Sequence, residues 1–202
     1  MTKTKRKTRL KKSQTIIFFL ILCLITGITA GAFSVRAMSE HRAERAAESI
    51  TSYINRINAG ETNSSAFVFL NSLFKHGKTA VLIWSLAFVK FGGLIILPAF
   101  MLTGIRYGYS TSLLISVFGL RGLAYTALLY LPQAFLLLPC YFLLSYHGID
   151  FSLTFTGKDK TKPPSLMRGY VFKLLTGMSL VALASGLDVF MLRFAEGRLQ
   201  QL

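Results

Sequence analysis

The chain has 202 residues, of which 52% are hydrophobic and only 15% carry a charged side chain. Soluble domains carry about 25% charged residues, so this composition excludes an ordinary soluble domain and indicates an integral membrane protein. The net charge of +15 suggests nucleic acid as a ligand, but the pattern predicts no folded basic face, and we expect no nucleic-acid binding.

Residues 1–14 form a basic tail, and an apolar run without a charge follows at 15–33. The run is long enough to cross the ~30 Å hydrocarbon layer as a helix. Seven lysines and arginines in the tail favour a cytoplasmic N-terminus under the positive-inside rule. A cleaved signal peptide, ending near Ala30-Gly31-Ala32, is the alternative; the run exceeds the roughly 7–15 apolar residues typical of such peptides, which favours an uncleaved helix.

Residues 34–65 are polar and formally neutral, so the region 34–73 with its two amphipathic helices is predicted to lie outside the cell. Apolar residues at helical spacing, among them Ile50 and Ile54, predict an amphipathic helix from about Arg42 to Ile57. Two interpretations of its apolar face stay open: packing on the membrane domain, or contact with an extracytoplasmic partner. A second amphipathic helix, capped by Ser64 or Ser65, has Asn71 on its polar face.

Residues 74–155 hold the central helices. Lys90-Phe91-Gly92-Gly93 predicts a turn between a second span, about 74–89, and a third, about 94–118. Gly104 and Gly108 form a GxxxG pattern, which lets another helix approach closely. Arg106 between them is costly at membrane depth, by roughly 2.5–3.5 kcal/mol, so it should snorkel, meet a carbonyl, or pair with Asp188 in the last span.

The following segment, 123–153, contains Pro132, Gln133 and Pro139 in an otherwise apolar run. As one helix it would be about 46 Å long, well over the hydrocarbon thickness. We therefore expect a broken or re-entrant segment that is buried between other spans, with the Gln133 amide donating to a carbonyl that Pro132 frees.

A basic cytoplasmic loop at 156–170, a last span at 171–192 and an extracytoplasmic tail at 193–202 complete the pattern. The fold class predicted is an all-α membrane helix bundle with about five crossings. Its N-terminus is expected in the cytoplasm and its C-terminus outside.

Catalytic motifs are missing from the sequence: the three histidines lie far apart and no HExxH, Walker or GxSxG pattern occurs. Cys23 and Cys140 lie within apolar runs, which favours packing roles. We expect no enzymatic activity, no metal site and no cofactor. A membrane scaffold and a transport subunit remain as functions, because broken helices with polar groups also build substrate sites.

Four features, in chain order, resemble the stage II sporulation protein M family. They are FVFLNSLFKHGKTAVLIW at 67–84, the turn at 90–93, the glycine-spaced third span and YLPQAFLLLP at 130–139. The resemblance implies a polytopic membrane protein of spore-forming bacteria, needed for engulfment of the forespore. It implies a non-enzymatic scaffold, surrounded by membrane lipids, that holds two peptidoglycan-degrading partners, stage II sporulation proteins D and P, at the septum.

Overall fold

The computed structural model describes residues 3–60, 64–155 and 164–195, and helices form nearly all of these ranges. No strand occurs in them, so the predicted all-α bundle is confirmed. The helices are α1 (Lys3–Arg36), α2 (Glu40–Asn58), α3 (Ser65–Leu86), α4 (Gly92–Phe118), α5 (Leu120–Tyr125), α6 (Leu131–Phe155) and α7 (Pro164–Ala195). Of the cytoplasmic loop predicted at 156–170 and the tail predicted at 193–202, residues 156–163 and 196–202 lie outside the described residues, whereas 164–170 and 193–195 belong to α7.

The long helices run from one end of the bundle to the other. At one end, the Lys12 ammonium of α1 forms a 2.9 Å ion pair with Asp150 near the end of α6. At the other, α2 lies across the ends of α4 and α7, where Ile54 and Ile57 pack with Leu114 and Leu192. We call these the Lys12 end and the α2 end. The two termini of the described chain therefore lie at opposite ends.

Within the described ranges, three helical stretches are long and apolar enough to cross a membrane: Lys12–Arg36, Leu120–Thr154 and Met167–Ala195. The first span predicted at 15–33 and the last predicted at 171–192 lie within two of these. Helices α3 and α4 also run through the bundle, but they carry Lys75, Lys78 and Arg106. The number of crossings therefore stays a prediction.

Helix α2 packs its apolar face against the bundle. Ile54 and Ile57 are 3% and 1% exposed, and Ile50 packs partly buried beside them. The arrangement supports the packing interpretation of this face, because side chains buried in this way cannot reach a partner. The charged face of α2 remains exposed.

Helices α1 and α4 meet through four glycines. Gly104 and Gly108 of α4 face Gly27 and Gly31 of α1, which form a second GxxxG pattern. A Cβ atom at Gly31 or at Gly108 would clash with a backbone carbonyl oxygen of the facing helix. The close approach predicted for Gly104 and Gly108 is thus present, and Gly31 belongs to a helix–helix interface.

The sequence predicts a helix break at Leu131-Pro132-Gln133, and the structure instead has a π-helical turn just ahead of these residues. Residues Thr126–Tyr130 adopt it between α5 and α6, and the Leu131 N–H donates to the Thr126 carbonyl, five residues back. The extra residue in a π turn changes the helical register without unwinding the backbone. Pro139 lies on an exposed face inside α6, which continues through it. The irregular backbone therefore lies at Thr126–Tyr130, ahead of the predicted break, and the segment remains helical throughout.

Candidate functional site

A cluster of polar side chains lies inside the bundle, closer to the α2 end. Helix α3 positions Ser72 and His76 one turn apart on its buried face, and each is 7% exposed. Helices α6 and α7 contribute the other members, Gln133, Tyr141 and Asp188. Membrane interiors tolerate such groups only where other protein groups satisfy them, so their partners define what the cluster can do.

Gln133 is the centre of this cluster. Its amide nitrogen donates to a carboxylate oxygen of Asp188 at 2.5 Å and to Nε2 of His76 at 2.7 Å. The Ser72 hydroxyl donates to the same Asp188 oxygen. Three helices, α3, α6 and α7, are therefore joined through one amide and one carboxylate.

His76 continues the network towards Tyr141. Because Nε2 of His76 accepts from Gln133, the ring proton lies on Nδ1, which is 3.2 Å from the Tyr141 hydroxyl. That hydroxyl in turn donates to the backbone carbonyl of His76, also at 3.2 Å. The His76 ring is therefore neutral, and both of its nitrogens make hydrogen bonds.

The structure corrects the expected role of Gln133. Its amide does not donate to a carbonyl freed by Pro132; it donates to His76 and Asp188 on neighbouring helices. The reason is geometric: the π turn ends at Tyr130, and Gln133 lies in the first turn of α6, where it faces α3 and α7. The expectation that the side chain is buried between helices is met, since it is 7% exposed.

The Arg106–Asp188 pairing considered from the sequence is not formed. Asp188 accepts from Ser72 and Gln133, whereas the Arg106 guanidinium donates at 3.4 Å to the Thr79 hydroxyl. The Arg106 side chain is exposed instead of buried. Among the described residues Arg106 therefore meets neither a carbonyl nor Asp188; its guanidinium lines the smaller cavity and contacts a hydroxyl.

Two adjoining cavities open beside this network. The smaller, about 50 Å³, is lined by Arg106 and Tyr107 of α4 together with residues of α3 and α6. The larger, about 160 Å³, reaches the α2 end past Asn71 and Tyr53 and contains Asp188 in its wall. Both share Lys75, His76, Tyr130 and Gln133. Asn71 is thus exposed at the mouth of the larger cavity.

Sequence reasoning missed Ser72, His76 and Tyr141 as members of this site. Ser72 and His76 are four residues apart and lie on the buried side of α3, with Ala80 and Ile83. That spacing was the available signal, since two polar groups on a buried helix face require partners. Their partners could not be predicted from the sequence, because the two residues of each hydrogen bond are 55 to 116 positions apart in the chain.

The polar cluster holds three helices together and places charged side chains in the walls of the two cavities. Within the described residues no group of three His, Cys, Asp or Glu side chains is placed to hold a metal ion. The hydrogen-bond network fixes the relative positions of α3, α6 and α7, and the cavity walls carry two cations and one carboxylate.

Comparison with known proteins agrees with this architecture. No curated protein sequence and no solved structure matches the chain significantly. The sequence model of the family described as Stage II sporulation protein M matches residues 19–191, which include the π turn, Gln133 and Asp188. The chain therefore belongs to the stage II sporulation protein M family.

Proposed function

We propose that this membrane protein of a sporulation family is a scaffold that recruits a peptidoglycan-degrading complex. The partners would be stage II sporulation proteins D and P, held at the septal membrane during engulfment of the forespore. The observation that carries the proposal is the family match over residues 19–191. The protein itself would contribute binding and position, not chemistry.

The polar face of α2 is the surface that we propose for these partners. The helix lies across the α2 end of the bundle with its apolar face buried, so the outward face presents charged and hydroxyl side chains. The exposed members include Arg42, Glu44, Arg45, Ser49 and Arg56. Arginine is enriched in protein interfaces, where its planar fork can bind carboxylates.

We expect Arg45→Gln with Arg56→Gln to lower recovery of the two partners about tenfold, corresponding to roughly 1.4 kcal/mol. Both side chains are exposed, so the fold should be unaffected. Co-purification from membranes of sporulating cells, with quantitative detection of both partners, measures the effect.

The matched control removes two exposed cations from the Lys12 end, Lys90→Gln with Arg168→Gln. Partner recovery should stay at the parental level in this control. Equal losses in both pairs would mean that total charge matters and would contradict the assignment to α2.

We further propose that the α2 end faces outward from the cell and the Lys12 end faces the cytoplasm. The seven cations of the basic tail support this orientation. In intact cells a membrane-impermeant reagent should then label a cysteine introduced at Gln200 but not one introduced at Lys3. The cysteine at Lys3 should react only from the cytoplasmic side. Labelling of both from one side would contradict a structure with its ends on opposite faces.

The alternative function, a transport subunit, would need a path through the bundle. The two cavities reach only the half nearer the α2 end. The other half is filled by packed side chains such as Ile83, Phe100, Leu144 and Tyr170, each under 4% exposed. This packing favours the scaffold.

A further inference from the structure

The cavities carry a net positive charge, because two cations share their walls with one carboxylate. Lys75 and Arg106 both line the smaller cavity. Among the described residues the ion pair formed is that of Lys12 with Asp150, and none joins either of these two cations to a carboxylate. Asp188, the nearby carboxylate, lines the larger cavity with Lys75 but is not in the wall of the smaller cavity that holds Arg106.

Both cations lie deep along their helices. Arg106 is 12 residues before the end of α4, about 18 Å, and Lys75 is ten residues after the start of α3, about 15 Å. Charged side chains at such depths are stable only with a partner or water. The single 3.4 Å contact to Thr79 leaves most of the five N–H donors of Arg106 unused.

Tyr107 adds an independent observation. Its hydroxyl is buried and has no hydrogen-bond partner among the described residues. Leaving such a group unpaired costs about 1–3 kcal/mol. Because Tyr107 lines the same cavity as Lys75 and Arg106, one acceptor-rich ligand could satisfy all three side chains.

An apolar groove continues from the cavity. It has a volume of about 430 Å³, lies between α1, α4 and α6, and includes Ile28, Ile115 and Leu138 in its wall. Tyr107 and Tyr130 line both the groove and the smaller cavity. A ligand that fills both spaces must have a compact anionic head and a hydrocarbon chain.

We propose that this site binds an anionic membrane phospholipid. The phosphate would lie in the cavity against Lys75, Arg106 and the Tyr107 hydroxyl, and one acyl chain would lie in the groove. The two cavities are small, about 50 and 160 Å³, which suits a phosphate group better than a larger solute. The phosphate supplies the negative charge that the two cations lack.

The test titrates purified, delipidated full-length protein with three probes and follows binding by native mass spectrometry. The probes are phosphatidylglycerol, diacylglycerol with the same chains, and inorganic phosphate. We expect phosphatidylglycerol to bind at least tenfold more tightly than diacylglycerol, and inorganic phosphate not to displace it. Equal affinity for the two lipids would overturn head-group recognition, and displacement by inorganic phosphate would assign the site to the free anion.

Variants assign the binding to these residues. Lys75→Met with Arg106→Gln should weaken phosphatidylglycerol binding at least tenfold, since each cation contributes charge-assisted hydrogen bonds. Lys78→Met with Arg121→Gln removes two exposed cations elsewhere and should change affinity less than twofold. Similar losses in both pairs would overturn the site.

Tyr107→Phe keeps the test decisive if the double variant does not fold. It removes one hydroxyl that has no protein partner, so packing is kept. We expect about a threefold loss of phosphatidylglycerol affinity, and unchanged affinity would contradict the proposed phosphate position. The site lies inside the bundle, away from the polar face of α2, so this outcome is independent of partner recovery.

Discussion

Gly108→Ala should separate α1 from α4 and markedly reduce the amount of folded protein. A Cβ atom at this position would clash with the Ile28 carbonyl oxygen, which belongs to backbone and cannot rotate away. The expected loss is at the upper end of the roughly 1–3 kcal/mol found for overpacked interiors. Thermal stability of the detergent-solubilised protein, measured by fluorescence-detected size exclusion, reports it.

Gly186→Ala in α7 is the matched control for this prediction. A Cβ atom there would meet nothing within 4 Å. Alanine is also the better helix former by about 1 kcal/mol, so stability should stay equal or rise. If both variants lost the same stability, the α1–α4 contact would not be the cause.

Gln133→Leu should be the most damaging single change in the polar cluster. It keeps the side-chain volume similar but removes the donor to Asp188 and to His76. A hydrogen bond to a charged group contributes about 1.5–3 kcal/mol, and the variant loses this bond while Asp188 keeps its Ser72 donor. We expect a large drop in stability in detergent, while insertion into the membrane continues because the apolar spans are unchanged.

A double-mutant cycle locates the partner of Asp188. Gln133→Leu and Asp188→Ala should couple by roughly 0.5–3 kcal/mol, because each removes the same hydrogen bond. Arg106→Ala and Asp188→Ala should be closer to additive, since Arg106 contacts Thr79 instead. If Arg106 and Asp188 coupled more strongly than Gln133 and Asp188, the result would support the ion pair that the sequence suggested.

The sequence predicts single helices well here because each feature is local. The apolar run at 15–33, the α2 pattern from Arg42 to Ile57 and the cap at Ser64 follow from residues within a few turns. In the structure, α2 ends at Asn58, with Ala59 and Gly60 next in the chain, and Ser64 accepts from the Phe67 N–H at 3.4 Å. The GxxxG pattern at Gly104 and Gly108 also predicted a close helix contact correctly.

The contacts between helices could not be predicted in the same way. Gln133 was recognised as unusual, but its partners lie 57 and 55 residues away on two other helices. Arg106 and Asp188 were paired because they were the charges nearest in depth, without information on which faces meet. The π turn was missed because its hydrogen bonding follows from tertiary packing around Thr126–Tyr130, not from a sequence pattern.

Site-specific crosslinking in sporulating cells tests the scaffold proposal most directly. A photo-reactive amino acid at Ser49 lies on the exposed face of α2, and one at Phe172 lies on an exposed apolar face of α7 as the control. The proposal predicts a covalent adduct with stage II sporulation protein D or P from position 49 and none from position 172. Absence of both partners from the position 49 adducts, or equal adducts from both positions, would contradict it.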